Sequence, residues 1–265
     1  MDLRVLFFGD IVGKIGRKAF RQILPDLKKE LRPDFIIANI ENIAHGSGLT
    51  KKTLKEVEGV DAFTTGNHVF KKDEAREILS YKNSPVLRPY NLKGNLPGEG
   101  ARIFTVKGKN ILLINLLGQV FMHEEYDNPF LALDEILLSF KSKNIDISIV
   151  DFHAEATSEK TAFGHYADGR IGAVIGTHTH IPTADNHLLA KGTAYVTDAG
   201  MVGAKDSVIG QSKDAVLKSF ISDVPFGFNI PEKGQVQVNS MLITFGQCSN
   251  LAKKFVRIDR EVNLC

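Results

Sequence analysis

The chain has 265 residues, with 33 Lys and Arg against 31 Asp and Glu and a formal net charge of +2. Its 43% hydrophobic and 24% charged residues fit one large folded domain, residues 1–265, and exclude disorder as the main state. So balanced a charge does not mark a nucleic-acid binder, and no segment approaches the ~20 apolar residues of a membrane span.

Leu3–Phe8 is an apolar run that reads as a buried strand delivering Asp10 at its tip. Lys14–Leu31 has helical spacing, with Ile23, Leu24, Leu27 and Leu31 on one face; Pro25 inside it implies a late start or a kink. Asp34–Ile40 is a second buried strand, followed by Glu41-Asn42. Thr50 caps a helix to about Glu58, and Asp61–Thr65 is a third strand with Gly66-Asn67-His68 directly after it. A helix over Lys72–Ser80 precedes loops marked by Pro85, Pro89 and Pro97 with Gly94, Gly98 and Gly100. Ala101–Val106 and Ile111–Leu116 flank Lys107-Gly108-Lys109-Asn110 as a hairpin. Asn128-Pro129 opens a helix to about Lys143, and Ile145–Phe152 is an apolar strand with His153 next. Ala173–Gly176 and Thr193–Thr197 are strands followed by Thr177-His178-Thr179-His180 and by Asp198-Ala199-Gly200. Gln235–Phe245 and Phe255–Ile258 are the closing strands. Strands alternate with helices early and hairpins come later, with no linker and no internal repeat. That order predicts an α/β fold of two mixed sheets packed face to face with helices outside.

Cys248 and Cys265 lack any pairing or metal-binding spacing, and the apolar run after Met1-Asp2 is too short for a signal peptide. Both features point to a reducing, cytoplasmic setting and to no membrane partner.

Five times a short apolar strand ends and a metal-competent side chain appears: Asp10, Glu41-Asn42, Asn67-His68, His153, and His178 with His180. In α/β sheets ligands bind in the crevice beyond the carboxyl ends of the strands, so strands sharing one sheet would bring these groups together. Each alone has a plainer reading. Asp10 before Gly13 could make a turn, Asn67 could cap a helix, and His178 and His180 share a face in any extended segment. In combination they fit two metal ions, with a carboxylate such as Glu41 able to bridge them; imidazoles suit manganese, iron, zinc or nickel, oxygen donors favour manganese or magnesium, and the lack of thiolates disfavours structural zinc. Two ions about 3.5–4 Å apart can clamp a phosphoryl group and activate a bridging water, and a nearby histidine can protonate the leaving oxygen. The glycines between Gly9 and Gly16 match neither a P-loop nor a dinucleotide fingerprint, and neither His-Glu-x-x-His nor Gly-x-Ser-x-Gly occurs.

Gly9-Asp10, Gly66-Asn67-His68, His153 after a strand and Gly176-Thr177-His178-Thr179-His180 resemble the signature of calcineurin-like metallophosphoesterases. Where that pattern has Asp-x-His and Gly-Asp, this chain has Asp10-Ile11-Val12 and Ile40-Glu41-Asn42. These departures resemble a narrower group, the YmdB-type 2′,3′-cyclic-nucleotide phosphodiesterases. The stretches Glu41 to Gly46, Asp151 to Lys160 and Gly176 to Asn186 agree with it, and the likeness weakens from about Ser207. The resemblance implies a four-layer α/β/β/α sandwich. It implies a first metal on Asp10, Glu41, Asn42 and His180 and a second on Glu41, Asn67, His153 and His178, with Glu41 bridging. Asn42 would fill the place of the missing histidine, and His68 would be the proton donor. The cofactors implied are two divalent or mixed-valence ions, iron or manganese.

The expectation is hydrolysis of small phosphodiesters, 2′,3′-cyclic nucleotides first among them, by a metal-bridging hydroxide. Two rivals stay open: a phosphomonoesterase or ribonuclease on the same site, with RNA ends as partner, and a regulatory nucleotide- or RNA-binding protein with weak turnover. A homo-oligomer is compatible with either. His45 is a loop residue with an open role. Glu155, Lys160 and Arg170 flank metal motifs, with a structural ion pair expected of Arg170, and His123, His165 and His187 are read as surface residues.

Overall fold

Mainly apolar runs such as Leu3–Phe8 and Ile147–His153 bury nearly all their side chains as strands covered on both faces, and the computed structural model places them so. The structure describes residues 2–222, 229–247 and 249–265; Cys248 lies outside them. In chain order the elements are β1 (Leu3–Phe8), β2 (Asp10–Ile11), α1 (Gly13–Leu31), β3 (Phe35–Asn39), α2 (Lys51–Lys55), β4 (Ala62–Thr64), α3 (Glu74–Ser80), β5 (Ala101–Val106), β6 (Lys109–Leu117) and α4 (Pro129–Ser139). There follow β7 (Ile147–His153), α5 (Thr157–Ala167), β8 (Ala173–Thr177), β9 (His187–Leu188), β10 (Ala194–Val196), β11 (Met201–Ala204), α6 (Lys213–Ser222), β12 (Gly234–Phe245) and β13 (Ala252–Leu264).

One sheet runs β2-β11-β12-β1-β3-β4, with β13 beside β12; the other runs β5-β6-β7-β8-β10-β9. In the first, β1, β3 and β4 are parallel while β12 lies antiparallel to β1 and to β13. In the second, β6, β7, β8 and β10 are parallel, with antiparallel β5 and β9 at the edges. Both sheets are therefore mixed.

The period of two along each strand divides the core into three layers of contact. Val5 and Phe7 of β1 point inward and pack with Leu113, Ile149 and Ile175 of the other sheet. Leu6 and Phe8 point outward onto Ile15, Ala19 and Phe20 of α1, with Phe8 and Phe20 edge to face at 4.9 Å. Phe152 and Val174 cover Leu133 of α4 and Phe163 of α5 on the far side. The result is the α/β/β/α order that the resemblance implies.

Several elements differ from the sequence reading. α1 begins at Gly13 and continues through Pro25 to Leu31, so Pro25 brings no late start. Pro25 is exposed and forfeits one bond to the Arg21 carbonyl, while Leu24 and Leu27 hold the core face. The hairpin turn is only Lys107-Gly108, both at positive φ, so β6 starts at Lys109. α5 has no apolar stripe to betray it, because its buried face includes Glu159, Lys160 and Gly164. β13 extends far beyond Phe255–Ile258, pairing with β12 from Ala252 to Leu264. No helix among the described residues is long and apolar enough to cross a membrane.

Candidate metal centre

The parallel strands of both sheets end at one shared edge. β1 and the short β2 deliver Asp10, the turn after β3 carries Glu41 and Asn42, and the turn after β4 carries Asn67 and His68. From the other sheet β7 ends in His153, and β8 is followed by His178 and His180. Glu41, Asn42, Asn67, His68, His178 and His180 line one cavity of about 470 Å³. Asp10 and His153 are fully buried behind them.

The donor atoms fall into two groups beside Glu41. On one side His153 Nε2 lies 3.2 Å from Glu41 Oε2 and 3.0 Å from His178 Nδ1. Ligand atoms of Glu41, His153 and His178 all lie within 4.8 Å of one another. On the other side His180 Nε2 is 3.3 Å from Asn42 Oδ1 and 4.0 Å from Asp10 Oδ1. Asp10 Oδ2 accepts the backbone N–H of His178 at 3.1 Å, which ties the two groups together. Its other oxygen, Oδ1, and Asn67 Oδ1 are buried without a hydrogen-bond partner among the described residues. An orphaned buried acceptor costs free energy unless something supplies positive charge to it, and a cation does so. The residues present therefore fit a metal ion on donor chemistry and on unmet acceptors alike.

Electrostatics leads the same way. Burial alone would raise the Glu41 carboxyl, but the charge and hydrogen bond of His153 hold it well below the ordinary carboxylate range. Burial opposes charge on His153 as well, yet Glu41 and Asp10 outweigh it and lift the imidazole to about 9. Asp10 is raised, chiefly by burial, against the pull of His180 and His153. His178 is lowered to about 3 by burial and then by the neighbouring charge of His153.

Two further networks hold the ligands. Glu41 N–H donates to Asn39 Oδ1 at 3.0 Å, and Asn39 Nδ2 donates to Asp151 Oδ2 at 2.9 Å. Asp151, raised by burial to about 6, accepts from Thr177 Oγ1 at 2.6 Å, and that oxygen sits 2.9 Å from His153 Nδ1. The hydroxyl donates its proton to Asp151, so it accepts from His153 Nδ1–H and directs Nε2 at the site. In the second network Asp198 Oδ2 accepts from Thr179 N at 3.1 Å, Thr179 Oγ1 at 2.8 Å and Lys160 Nζ at 2.8 Å. Lys160 also donates to Thr177 O at 2.7 Å. This clamp pins a loop whose His178 and His180 sit at φ 97° and 65°, in the left-handed region that L residues seldom occupy. Gly66 is glycine for a different reason: a Cβ there would overlap both Glu41 Oε2 and His153 Nε2.

All seven residues predicted as ligands, and His68, come together. His68 Nδ1 lies 3.4 Å from Glu41 Oε1 and 3.4 Å from Asn42 Nδ2. Glu155 joins the rim, 3.1 Å from His178 Nε2, while Arg170 pairs with Asp134 and lies over the Tyr166 ring at 4.9 Å, as a structural role predicts. His45 is exposed and does not line the cavity; His165 and His187 are exposed too. His123, read as a plain surface residue, is exposed but lines the cavity. Asn39, Asp151 and Asp198 escaped the sequence reading. The signal was a polar residue inside an otherwise apolar strand for the first two. For Asp198 it was the same position after a strand that marks His153 and Asp10.

A family model described as YmdB-like protein matches residues 6–258. A Bacillus subtilis (strain 168) protein named 2′,3′-cyclic-nucleotide 2′-phosphodiesterase is 41% identical over 260 residues, covering 97% of this chain and 96% of that one. The chain belongs to the YmdB-like family. The crystal structure of a Mycoplasma pneumoniae protein titled a novel phosphatase superposes on this YmdB-like chain with a TM-score of 0.92 at 34% identity, covering 99% of this chain and 95% of that one. A 5′-nucleotidase precursor from Thermus thermophilus shares the fold alone, at TM-score 0.55 and 11% identity over 100% of this chain and 55% of that one.

Proposed function

We propose that this YmdB-like chain is a two-metal phosphoric diester hydrolase acting on 2′,3′-cyclic nucleotides. The observation that carries the reading is the convergence of two donor groups, Glu41 with His153 and His178 and Asp10 with Asn42 and His180, with unmet acceptors on Asp10 and Asn67. Asp10, Glu41, Asn42 and His180 would hold one ion, and Glu41, Asn67, His153 and His178 the other. Mixed imidazole and oxygen donors suit iron or manganese. Bound there, the ions would supply Lewis acidity, drawing charge from the phosphoryl oxygens and acidifying water.

The chain's own residues supply the rest. His68 Nδ1 is held between Glu41 and Asn42, and among the described residues its Nε2 takes no hydrogen bond. Nε2 is then the atom that hands a proton to the departing ribose oxygen. The B. subtilis relative's name carries both the cyclic substrate and the 2′ bond. Taken to this chain, water adds to phosphorus, the P–O2′ bond breaks, O2′ takes the His68 proton and a 3′-phosphate remains.

The test is hydrolysis of 2′,3′-cyclic AMP, 3′,5′-cyclic AMP, a bis-aryl phosphodiester and a phosphomonoester, with metal content measured on the same sample. Turnover of the 2′,3′-cyclic ester by protein holding two ions per chain supports the reading. Two ions with no diester turnover would replace it with the binding-protein reading, and monoester turnover alone with a phosphatase.

A further inference from the structure

The cavity extends well beyond the ligand atoms. Its volume of about 470 Å³ suits a ligand of nucleotide size. The loop after β6 brings Phe121, Met122 and His123 to its lining, and Ile209, Ile230 and the Gln211 amide line it as well. Among these described residues Phe121 is the sole aromatic other than histidine, and 81% of its surface is exposed.

That exposure does not come from a slack loop. Gly118 N–H donates to the His153 carbonyl at 3.0 Å. The next two backbone N–H groups, of Gln119 and Val120, donate to the buried Glu159 carboxylate at 2.8 and 3.1 Å. Gln119 Nε2 closes the loop onto the Tyr126 carbonyl at 2.7 Å. Phe121 itself sits at φ 63°, a conformation a bulky residue keeps only where its surroundings impose it. The fold therefore commits backbone strain and a buried carboxylate to presenting a bare ring at the rim of the metal cavity, on a loop anchored to the strand that carries His153. A nucleotide with its phosphodiester against the metal-ligating side chains must put its base elsewhere in the same cavity. A flat apolar ring is the surface that takes any base by stacking.

We propose that Phe121 is the nucleobase platform of this site, stacking the base of a cyclic nucleotide while the phosphodiester lies at the metal centre. The proposal rests on the phosphodiesterase reading for the second half of that statement, and its test separates the two. The chain contains no Trp, so Phe121→Trp installs a single fluorescent reporter on the platform itself. Its emission should be quenched in a saturable way by 3′-AMP and by 2′,3′-cyclic AMP, and unchanged by ribose 3-phosphate, which lacks the base. In steady state, Phe121→Ala should lower the preference for 2′,3′-cyclic AMP over base-free ribose 2,3-cyclic phosphate about tenfold, mostly through KM, with Tyr restoring it. No quenching by the nucleotides, or a preference that stays at the wild-type value in Phe121→Ala, would overturn the platform. If wild-type protein hydrolyses neither ester, the hydrolase reading fails, and the fluorescence titration with 3′-AMP still decides the platform.

Discussion

Replacing Lys160 with Met should unsettle the metal centre from behind, without touching a ligand. Lys160 is 1% exposed and Asp198 is 0% exposed, and their 2.8 Å contact sits directly under the His178–His180 loop. Met keeps most of the side-chain volume but removes the charge and both hydrogen bonds, to Asp198 Oδ2 and Thr177 O. Asp198 would retain Thr179 N, Thr179 Oγ1 and Gly200 N as donors, so it would stay bonded yet uncompensated. Breaking a buried pair by removing one partner costs about 3–5 kcal/mol. For a chain of this length each kcal/mol moves the midpoint about 2–4 °C, so Tm should fall by roughly 6–20 °C. The assay is calorimetric or denaturant unfolding of Lys160→Met, metal-loaded and chelated, beside Arg170→Ala. The Arg170–Asp134 pair is 37% and 44% exposed, and its loss should cost no more than about 1 kcal/mol. A comparable small loss in Lys160→Met would refute the argument, because it would mean that Thr179 and Gly200 satisfy Asp198 without the lysine.

Gly66→Ala should fold but lose metal, since its methyl occupies the space of Glu41 Oε2 and His153 Nε2; elemental analysis after dialysis checks this, and full occupancy would contradict it. Glu41→Gln should weaken both ions together, as its proposed place in both ligand sets requires; loss of one ion alone, read by the same analysis, would break the bridging assignment. His68→Gln should keep both ions and lose about 10²–10⁴-fold in turnover of the cyclic ester, with a smaller loss on an activated aryl ester that departs without a proton. Equal losses on the two substrates would remove His68 from the acid role.

How much of this was legible in the sequence depends on where a residue's partner lies. The strand-end ligands could be read because an apolar run leading into Asp10 or His153 states its own geometry: the strand is buried, and the polar residue at its end must emerge at its tip. Two facing sheets with helices outside could be read from the alternation of apolar runs and helical spacing, and the four-layer order came from the family resemblance. α5 could not, because its buried face mixes Phe163 and Ala167 with Lys160, which meets Asp198, and with Gly164, which lies against the Tyr195 ring, and so shows no apolar stripe. The roles of Asn39 and Asp151 depend on a partner about a hundred residues away, 2.9 Å apart only once the two sheets meet. Phe121 gave no signal at all, since a lone aromatic in a loop has no period; only its anchored backbone and its place on the cavity wall distinguish it.

The charge inventory at the shared strand edge connects the fold to its chemistry. Asp10, Glu41, Asp151 and Asp198 are all essentially buried there, with Lys160 buried beside Asp198. Four buried acids against one lysine cannot all be ionised in a low dielectric without further positive charge. Within this cluster Glu41 and Asp10 lift His153 to about 9, and burial raises Asp10 and Asp151. A divalent ion held by these donors would supply the positive charge that the carboxyl groups lack. The excess of acid is therefore a design for cations. The hydrophobic layers between and outside the sheets supply the stability that lets the fold carry so many buried carboxyl groups.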